Sequence, residues 1–361
     1  MQEFQTSKTN FHDHRIVDVK VKSLAEGEVR AKVDRFAFTA NNITYAVAGE
    51  QIRYWEFFPP TGENAAEQWG IIPVWGFADI TESKCNDLPI GERLFGYFLP
   101  SQELIMRPTK VSTNSFIESS EHRSTLPVGY NLYRRVLAEP GYSREHDNER
   151  ILLYVLHLTS FCLQDMLQTN DWYGAEQVLI LSASSKTGSG LAYCINAATG
   201  APPAIGLTSV SNVELVKSMG AYEQALSYDE LDSIDANRAT VIVDMSGNTD
   251  VMSRLHQHLG DNMRFTIQVG ITHWQQPRIA NGIITERSQQ FFAPSHIQKR
   301  IQELGQQEWD KRSFSHVQHS MSKTRDWLKI KELDGLDGLA SIYQDVCSGS
   351  NDVSEGIIIK M

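Results

Sequence analysis

The pattern of apolar and polar positions changes character twice along the chain. Up to about residue 110, short segments alternate the two kinds, as in Arg15-Ile-Val-Asp-Val-Lys-Val21 and Glu28-Val-Arg-Ala-Lys-Val33. A period of two is that of a half-buried antiparallel strand. Glu92-Arg-Leu-Phe-Gly-Tyr-Phe98 and Glu103-Leu-Ile-Met106 predict further strands, stopped by Pro100 and Pro108. Residues 54–77 lie between these groups and carry Trp55, Phe57, Phe58, Trp69 and Trp75 among prolines and glycines, so they read as a packed irregular loop region. Residues 111–150 are polar and mixed.

From 151 the runs become solidly apolar. Residues 151–167 predict a helix, which His157, Thr159, Ser160, Gln164 and Asp165 make too polar, and its length too short, to span a bilayer. Strands are predicted at 178–182, 203–207, 240–244 and 264–270, separated by helices at 190–199, 212–219 and 250–259. Short apolar strands alternating with helices imply right-handed crossovers and a parallel sheet. Phe291-Phe292 suggests an edge strand. The tail predicts a helix over 294–329, another over 337–346 and a last strand, Gly356-Ile-Ile-Ile-Lys360. That strand has to pair with something, and the N-terminal strands are the natural partners. One domain, 1–155 with 301–361, is therefore expected to be interrupted by another, 156–300.

Composition narrows the function. A chain of 361 residues with 41% hydrophobic and 21% charged positions describes a soluble globular protein of two domains. Net charge is −11, with no basic block, which disfavours nucleic acid or an anionic membrane as partner. The N-terminus carries no apolar signal core, so a cytoplasmic location is expected. Cys85, Cys162, Cys194 and Cys347 lie far apart, which excludes a disulfide framework and the usual structural zinc spacings.

Several segments resemble the medium-chain dehydrogenase/reductase superfamily. Gly27-Glu-Val-Arg-Ala-Lys-Val33 is similar to its Gly-Glu-Val-x-Val-x-Val strand, and Gly91-Glu-Arg-Leu-Phe-Gly96 to its Gly-Asp-x-Val-x-Gly turn. Thr240-Val-Ile-Val-Asp-Met-Ser-Gly247 resembles its fourth nucleotide-domain strand and Thr266-Ile-Gln-Val-Gly270 its fifth. An uncharacterised branch of that superfamily resembles this chain most, through Thr39-Ala-Asn-Asn-Ile-Thr-Tyr45, Pro73-Val-Trp-Gly-Phe77, Tyr130-Asn-Leu-Tyr133, Ser182-Ala-Ser-Ser-Lys-Thr187 and Gly206-Leu-Thr-Ser209. The resemblance implies an α/β fold, a GroES-like β-rich catalytic domain interrupted by a doubly wound Rossmann domain, and a homodimer through the edge of the nucleotide-binding sheet. Gly76-Phe-Ala-Asp79 stands where zinc-dependent members carry Gly-His-Glu, and no four-cysteine lobe is present. The chain thus resembles the zinc-independent quinone and enoyl reductases, and no metal is expected.

The segment Gln177-Val-Leu-Ile-Leu-Ser-Ala-Ser-Ser-Lys-Thr-Gly188 has the strand, tight turn and helix order that sets phosphates against backbone N–H groups. A Gly-x-x-Gly-x-x-Gly spacing falls on Ser182, Ser185 and Gly188, so only the last glycine remains. A left-handed serine would cost roughly 1–2 kcal/mol, which a loop of another shape avoids. Ser184, Ser185, Lys186 and Thr187 are candidates to donate side-chain hydrogen bonds to a pyrophosphate, worth about 1.5–3 kcal/mol each when charge-assisted. The alternative is a vestigial site whose serines cap a helix. No acid occurs between Gly206 and Asn212, where an NAD site places one on the ribose. Thr208, Ser209, Asn212 and Lys217 suit a 2′-phosphate, which favours NADPH, although Lys217 reads equally well as a solvated helix residue. Gly270, at the end of the segment that resembles the family's fifth strand, is a further cofactor candidate by that resemblance.

In the enoyl reductases that the chain resembles, a tyrosine near the nicotinamide corresponds to Tyr45, after the turn Asn41-Asn42. A phenol stays protonated at neutral pH and can protonate an enolate. Asn42 and Thr44 are candidates to orient a substrate carbonyl, and Thr159 matches a threonine that approaches the nicotinamide. For each of these residues packing, turn formation or a helix back-bond is the competing explanation. Dense aromatic residues around Trp55, Phe57, Phe58 and Trp75 hint at an apolar or aromatic small-molecule substrate. The expectation is a zinc-free, NADPH-dependent reductase of an activated C=C or C=O bond, with hydride transfer in the cleft between its domains. The alternatives are a non-catalytic ligand-binding or assembly module, or a non-redox enzyme using the same cleft.

Overall fold

The computed structural model describes residues 1–51, 53–62, 65–269 and 282–361. They divide into two compact units, Met1–Leu152 with Ile330–Met361, and Leu153–Lys329. The sequence put the chain's return to the first domain at 301, whereas the second unit continues to Lys329. The physical reason is the long helix Gln306–Thr324, which packs on the helix Lys186–Ala197 within the second unit. Ser320 on it hydrogen-bonds the buried His157 at 2.7 Å.

Among the described residues of the first unit, nine strands form one sheet. Its centre is the strand Val29–Ala37, flanked by Val74–Ser83 on one side and the C-terminal Glu355–Lys360 on the other. Ile358 faces Ala37 and Lys360 faces Arg35, so the last strand does close the N-terminal sheet. Gly76 faces Phe36 at a point where a Cβ would lie 2.5 Å from the Arg35 carbonyl oxygen, which is why this crossing needs glycine. Two readings change. Residues 74–83, partly assigned to loop, are a strand, and Asn41-Asn42 open the helix Ala40–Val47 instead of forming a turn. Asn42 Oδ1 accepts from the Thr39 backbone N–H at 2.8 Å, which holds the start of that helix.

The buried Arg93 ties the sheet to the next element. Its guanidinium meets Asp34 at 2.6 Å, Asp79 at 2.7 Å and Asp147 at 2.6 Å. Asp147 begins the helix Asp147–Thr169, longer than the 151–167 predicted. This helix is long and apolar enough to cross a membrane by composition, yet two-thirds of its most apolar window is buried inside the protein. Its polar residues have partners there. Asp165 binds Arg300 at 2.7 Å and His296 at 2.8 Å.

Among its described residues the second unit carries six parallel strands in the order Gln224–Ser227, Ala204–Thr208, Gln177–Leu181, Thr240–Asp244, Met263–Gln268, Ser288–Gln290. In chain order this is 3-2-1-4-5-6, the doubly wound arrangement whose direction reverses beside its first strand. Ligands in such sheets bind outside the carboxyl ends at that reversal. The edge strand is Ser288–Gln290, with Phe291 N–H bonded to Gln268 O at 2.8 Å just beyond it, so the edge starts earlier than Phe291-Phe292 suggested. The predicted 294–329 helix is two, Ala293–Leu304 and Gln306–Thr324, broken at Gly305 where φ is 83°.

Candidate functional site

In the second unit, the strand Gln177–Leu181 leads into the helix Lys186–Ala197 through four residues at the reversal point. Ser182 adopts φ 55°, the left-handed conformation that glycine usually supplies. The loop has therefore kept that shape at its first position, and the serine there bears the steric cost. Ser185, at φ −70°, is the N-cap, and its Oγ accepts from Gly188 N–H at 3.0 Å. A Cβ on Gly188 would lie 2.8 Å from Ser182 O, so the surviving glycine lets the first helical turn close onto the loop.

Hydrogen bonds fix the loop from several directions. Ala183 N–H donates to Leu207 O at 3.0 Å and Ser185 N–H to Ser182 O at 2.8 Å. Tyr228 Oη accepts from Ser182 N–H at 2.9 Å, and Tyr222 Oη donates to Ala183 O at 2.8 Å. Both tyrosines escaped sequence reasoning. The available signal was Ala225-Leu226, a short apolar pair between Tyr222 and Tyr228, which marks the third strand.

The expected cofactor residues gather unevenly. Ser184 Oγ accepts from Thr208 Oγ1 at 3.2 Å and from Asn212 Nδ2 at 3.3 Å. That brings three of them together at the ends of the first two strands and leaves Ser184's own proton to be donated. Ser209 pairs with Ser211 at 3.1 Å on the exposed turn. Lys217 is bound to Glu214 at 2.8 Å, one turn along an exposed helix. Thr187 presents its carbonyl to Ser160 Oγ at 2.7 Å. Lys186 is half-buried beside it, and its charge adds to burial in lowering the pKa of His157 to about 3. Thr159 Oγ1 donates to Val155 O at 3.1 Å within its own helix. Gly270 lies outside the described residues.

A dinucleotide's pyrophosphate needs N–H donors at a helix start, and the backbone N–H groups of Ser184 and Thr187 have no partner among the described residues. With the helix dipole behind them, these groups fit a diphosphate. The strand Ala204–Thr208 and the turn after it carry no acidic residue before Glu214, while Glu230, beyond the neighbouring strand, accepts from the N–H of Ser227, which pairs with Thr208, at 2.9 Å.

In the first unit Tyr45 is 4% exposed, and its Oη accepts from Asn41 Nδ2 at 2.8 Å and from Trp75 Nε1 at 3.1 Å. Burial raises its pKa further above the ordinary tyrosine value, as does the neighbouring Tyr54. The two incoming donors act the other way by favouring phenolate. Asn42 is fully engaged, with Nδ2 donating to Pro73 O at 2.9 Å and Oδ1 accepting from Thr39. Thr44 is half-buried one turn before Ala48. Trp55, Phe57 and Phe58 are core residues, while Trp75 is half-buried. Among the described residues no group of three His, Cys, Asp or Glu side chains is placed to hold a metal ion.

No curated protein matches the sequence. Solved structures share the fold. CurA from Vibrio vulnificus in complex with NADPH aligns with a TM-score of 0.66 at 10% identity, covering 100% of this chain and 99% of that one. Escherichia coli quinone oxidoreductase complexed with NADPH aligns at 0.61 and 12% identity, and galactitol-1-phosphate dehydrogenase from the same organism at 0.54 and 11%, each over 100% of both chains. This is the β-rich plus Rossmann fold of medium-chain reductases. Residues 36–352 match the model of the family described as "protein of unknown function (DUF2855)", and the chain belongs to that family.

Proposed function

We propose that this chain is a zinc-independent, NADPH-dependent oxidoreductase that reduces an activated C=C or C=O bond. The observation that carries the proposal is the left-handed Ser182, φ 55°, at the sheet's reversal point. A residue held there at a cost of about 1–2 kcal/mol is maintained by its surroundings, and such strain concentrates at functional turns. CurA and the Escherichia coli quinone oxidoreductase, which share the fold, were both solved with NADPH.

Ser184 and Thr187 would hold the pyrophosphate through backbone N–H groups, with the Ser184 hydroxyl and the Lys186 ammonium as further donors. Thr208, Ser209 and Asn212 would face the adenosine ribose and offer hydrogen-bond donors to a 2′-phosphate. Lys217 is assigned to that phosphate only if it leaves Glu214. NADPH, when bound, supplies a hydride. The oxygen of a reduced conjugated carbonyl would need a proton, and Tyr45 Oη–H is the proposed source. The donors Asn41 and Trp75 then stabilise the phenolate left behind.

Titrating the full chain with NADPH and following nicotinamide fluorescence tests the proposal. Saturable binding, tighter for NADPH than for NADH, is expected. No saturation below the millimolar range would remove its support. A non-catalytic binding module is the alternative, favoured by the engagement of Ser182 N–H with Tyr228 and of Ser185 Oγ with the helix cap. It requires that no conjugated carbonyl substrate is turned over by the NADPH-bound protein.

A further inference from the structure

Two cations border the strand ends at which the second unit would hold an adenosine ribose, and they are not equivalent. Lys217 is paired with Glu214 at 2.8 Å, and Glu230 adds to Glu214 in holding its ammonium charged. Glu230 itself accepts from the N–H and the hydroxyl of Ser227 at 2.9 and 2.8 Å. These acids and this lysine answer one another. Arg254 is exposed and, among the described residues, forms no ion pair. Asp250 lies one turn earlier on its helix and Asp229 follows Tyr228 in the chain, and neither is paired with it.

The packing of its helix places Arg254. Val251, Met252, Leu255 and Leu259 of the helix Thr249–Leu259 pack with Leu181, Ile205 and Leu207 of the first two strands. Arg254 is left at the exposed flank, with Nη1 donating to the Tyr228 carbonyl oxygen at 3.3 Å. Tyr228 joins three parts of the site. Its N–H donates to Thr208 O at 2.9 Å, its Oη accepts from Ser182 N–H at 2.9 Å, and its carbonyl receives Arg254. One residue therefore separates the guanidinium from the end of the strand Ala204–Thr208, a span of at most roughly 10 Å. Doubly wound sheets read the 2′ position of the adenosine ribose at that strand end, and an arginine nearby suits a 2′-phosphate. A guanidinium offers a phosphate two parallel N–H bonds, which an ammonium cannot. The bond that Arg254 makes to Tyr228 is long and goes to a neutral oxygen, so a phosphate can replace it.

We propose that Arg254 is the residue that reads the 2′-phosphate of the cofactor, reaching it from the helix after the fourth strand, while Lys217 stays with Glu214. The assignment rests on the dinucleotide site proposed above, and it makes Arg254 a determinant of the preference for NADPH over NADH.

The test is binding, followed by nicotinamide fluorescence with NADPH and with NADH, which differ only in that phosphate. Wild type is expected to prefer NADPH. In Arg254→Gln the affinity for NADPH should fall about tenfold, the worth of a charge-assisted hydrogen bond, with the affinity for NADH unchanged. Arg254→Lys keeps the charge without the fork and should recover only part of the loss. Arg264→Gln removes an equal charge from the amino end of the strand Met263–Gln268, away from the carboxyl ends of the sheet, and should alter neither affinity. Failure of wild type to bind either dinucleotide would overturn the reductase reading and this assignment with it. Equal affinities in wild type, or tighter binding of NADH, would overturn the assignment and leave a dinucleotide site in place. So would an Arg254→Gln protein that keeps its preference for NADPH, or one that loses both dinucleotides alike, which would make Arg254 only a support for Tyr228.

Discussion

Gly188→Ala probes the loop geometry with a single methyl group. The added Cβ would sit 2.8 Å from Ser182 O, 3.0 Å from Ser185 Oγ and 3.4 Å from Ala183 Cα. The nearest of these atoms is backbone, so the turn itself has to shift. Alanine within a helix normally gains about 1 kcal/mol over glycine. Against that gain stand an overpacking cost of about 1–3 kcal/mol and loss of the Ser185 cap, about 0.5–2 kcal/mol. The net expectation is destabilisation by roughly 0.5–4 kcal/mol, centred near 2. Urea unfolding followed by far-ultraviolet circular dichroism measures it, and the same preparation titrated with NADPH should bind at least tenfold more weakly. Gly129→Ala, where no atom lies within 4 Å of the new Cβ, is the control and should be near neutral. Stability at or above wild type together with unchanged NADPH affinity in Gly188→Ala would refute the description of this turn.

Three further outcomes are expected. Arg93→Met strands the buried Asp147 carboxylate, while Asp34 keeps Arg35 and Asp79 keeps Arg144, and should cost about 3–5 kcal/mol in chemical denaturation, since a buried charge loses its cation. His157 is held neutral chiefly by burial, with a pKa of about 3 against 6.5 when free. The unfolded chain therefore takes up a proton that the folded chain refuses, and stability falls by about 1.4 kcal/mol per pH unit as pH drops from 6.5 toward 3. His157→Gln should flatten that part of the stability–pH curve. Cys162 and Cys194 are buried, and burial pushes the Cys194 thiol up to about 12. Both should resist a thiol reagent until the protein unfolds, while the half-buried Cys85 reacts in the native state.

The fold was legible wherever burial forces an apolar run. Val178 to Leu181 and Val241 to Val243 are fully buried between two layers of helices, and their sequence has no other reading. Strands that bury little were invisible. Lys329–Asp334 is exposed almost throughout, so no alternation marks it, and Gln224–Ser227 at the sheet's edge shows only two apolar residues. In the site, the turn's position followed from the strand and helix signals, but its conformation did not. Whether Ser182 would be left-handed depends on Tyr228, 46 residues away, which accepts its N–H. The grouping of Ser184 with Thr208 and Asn212 followed from strand order, whereas the pairing of Lys217 with Glu214 is a local helix contact that competes with any ligand.

The most direct test of the central claim is a crystal structure of the full chain grown with NADPH. The diphosphate is expected at the start of the helix Lys186–Ala197, within hydrogen-bonding distance of the Ser184 and Thr187 N–H groups. An empty crevice at saturating NADPH, or a nucleotide bound elsewhere, would contradict it.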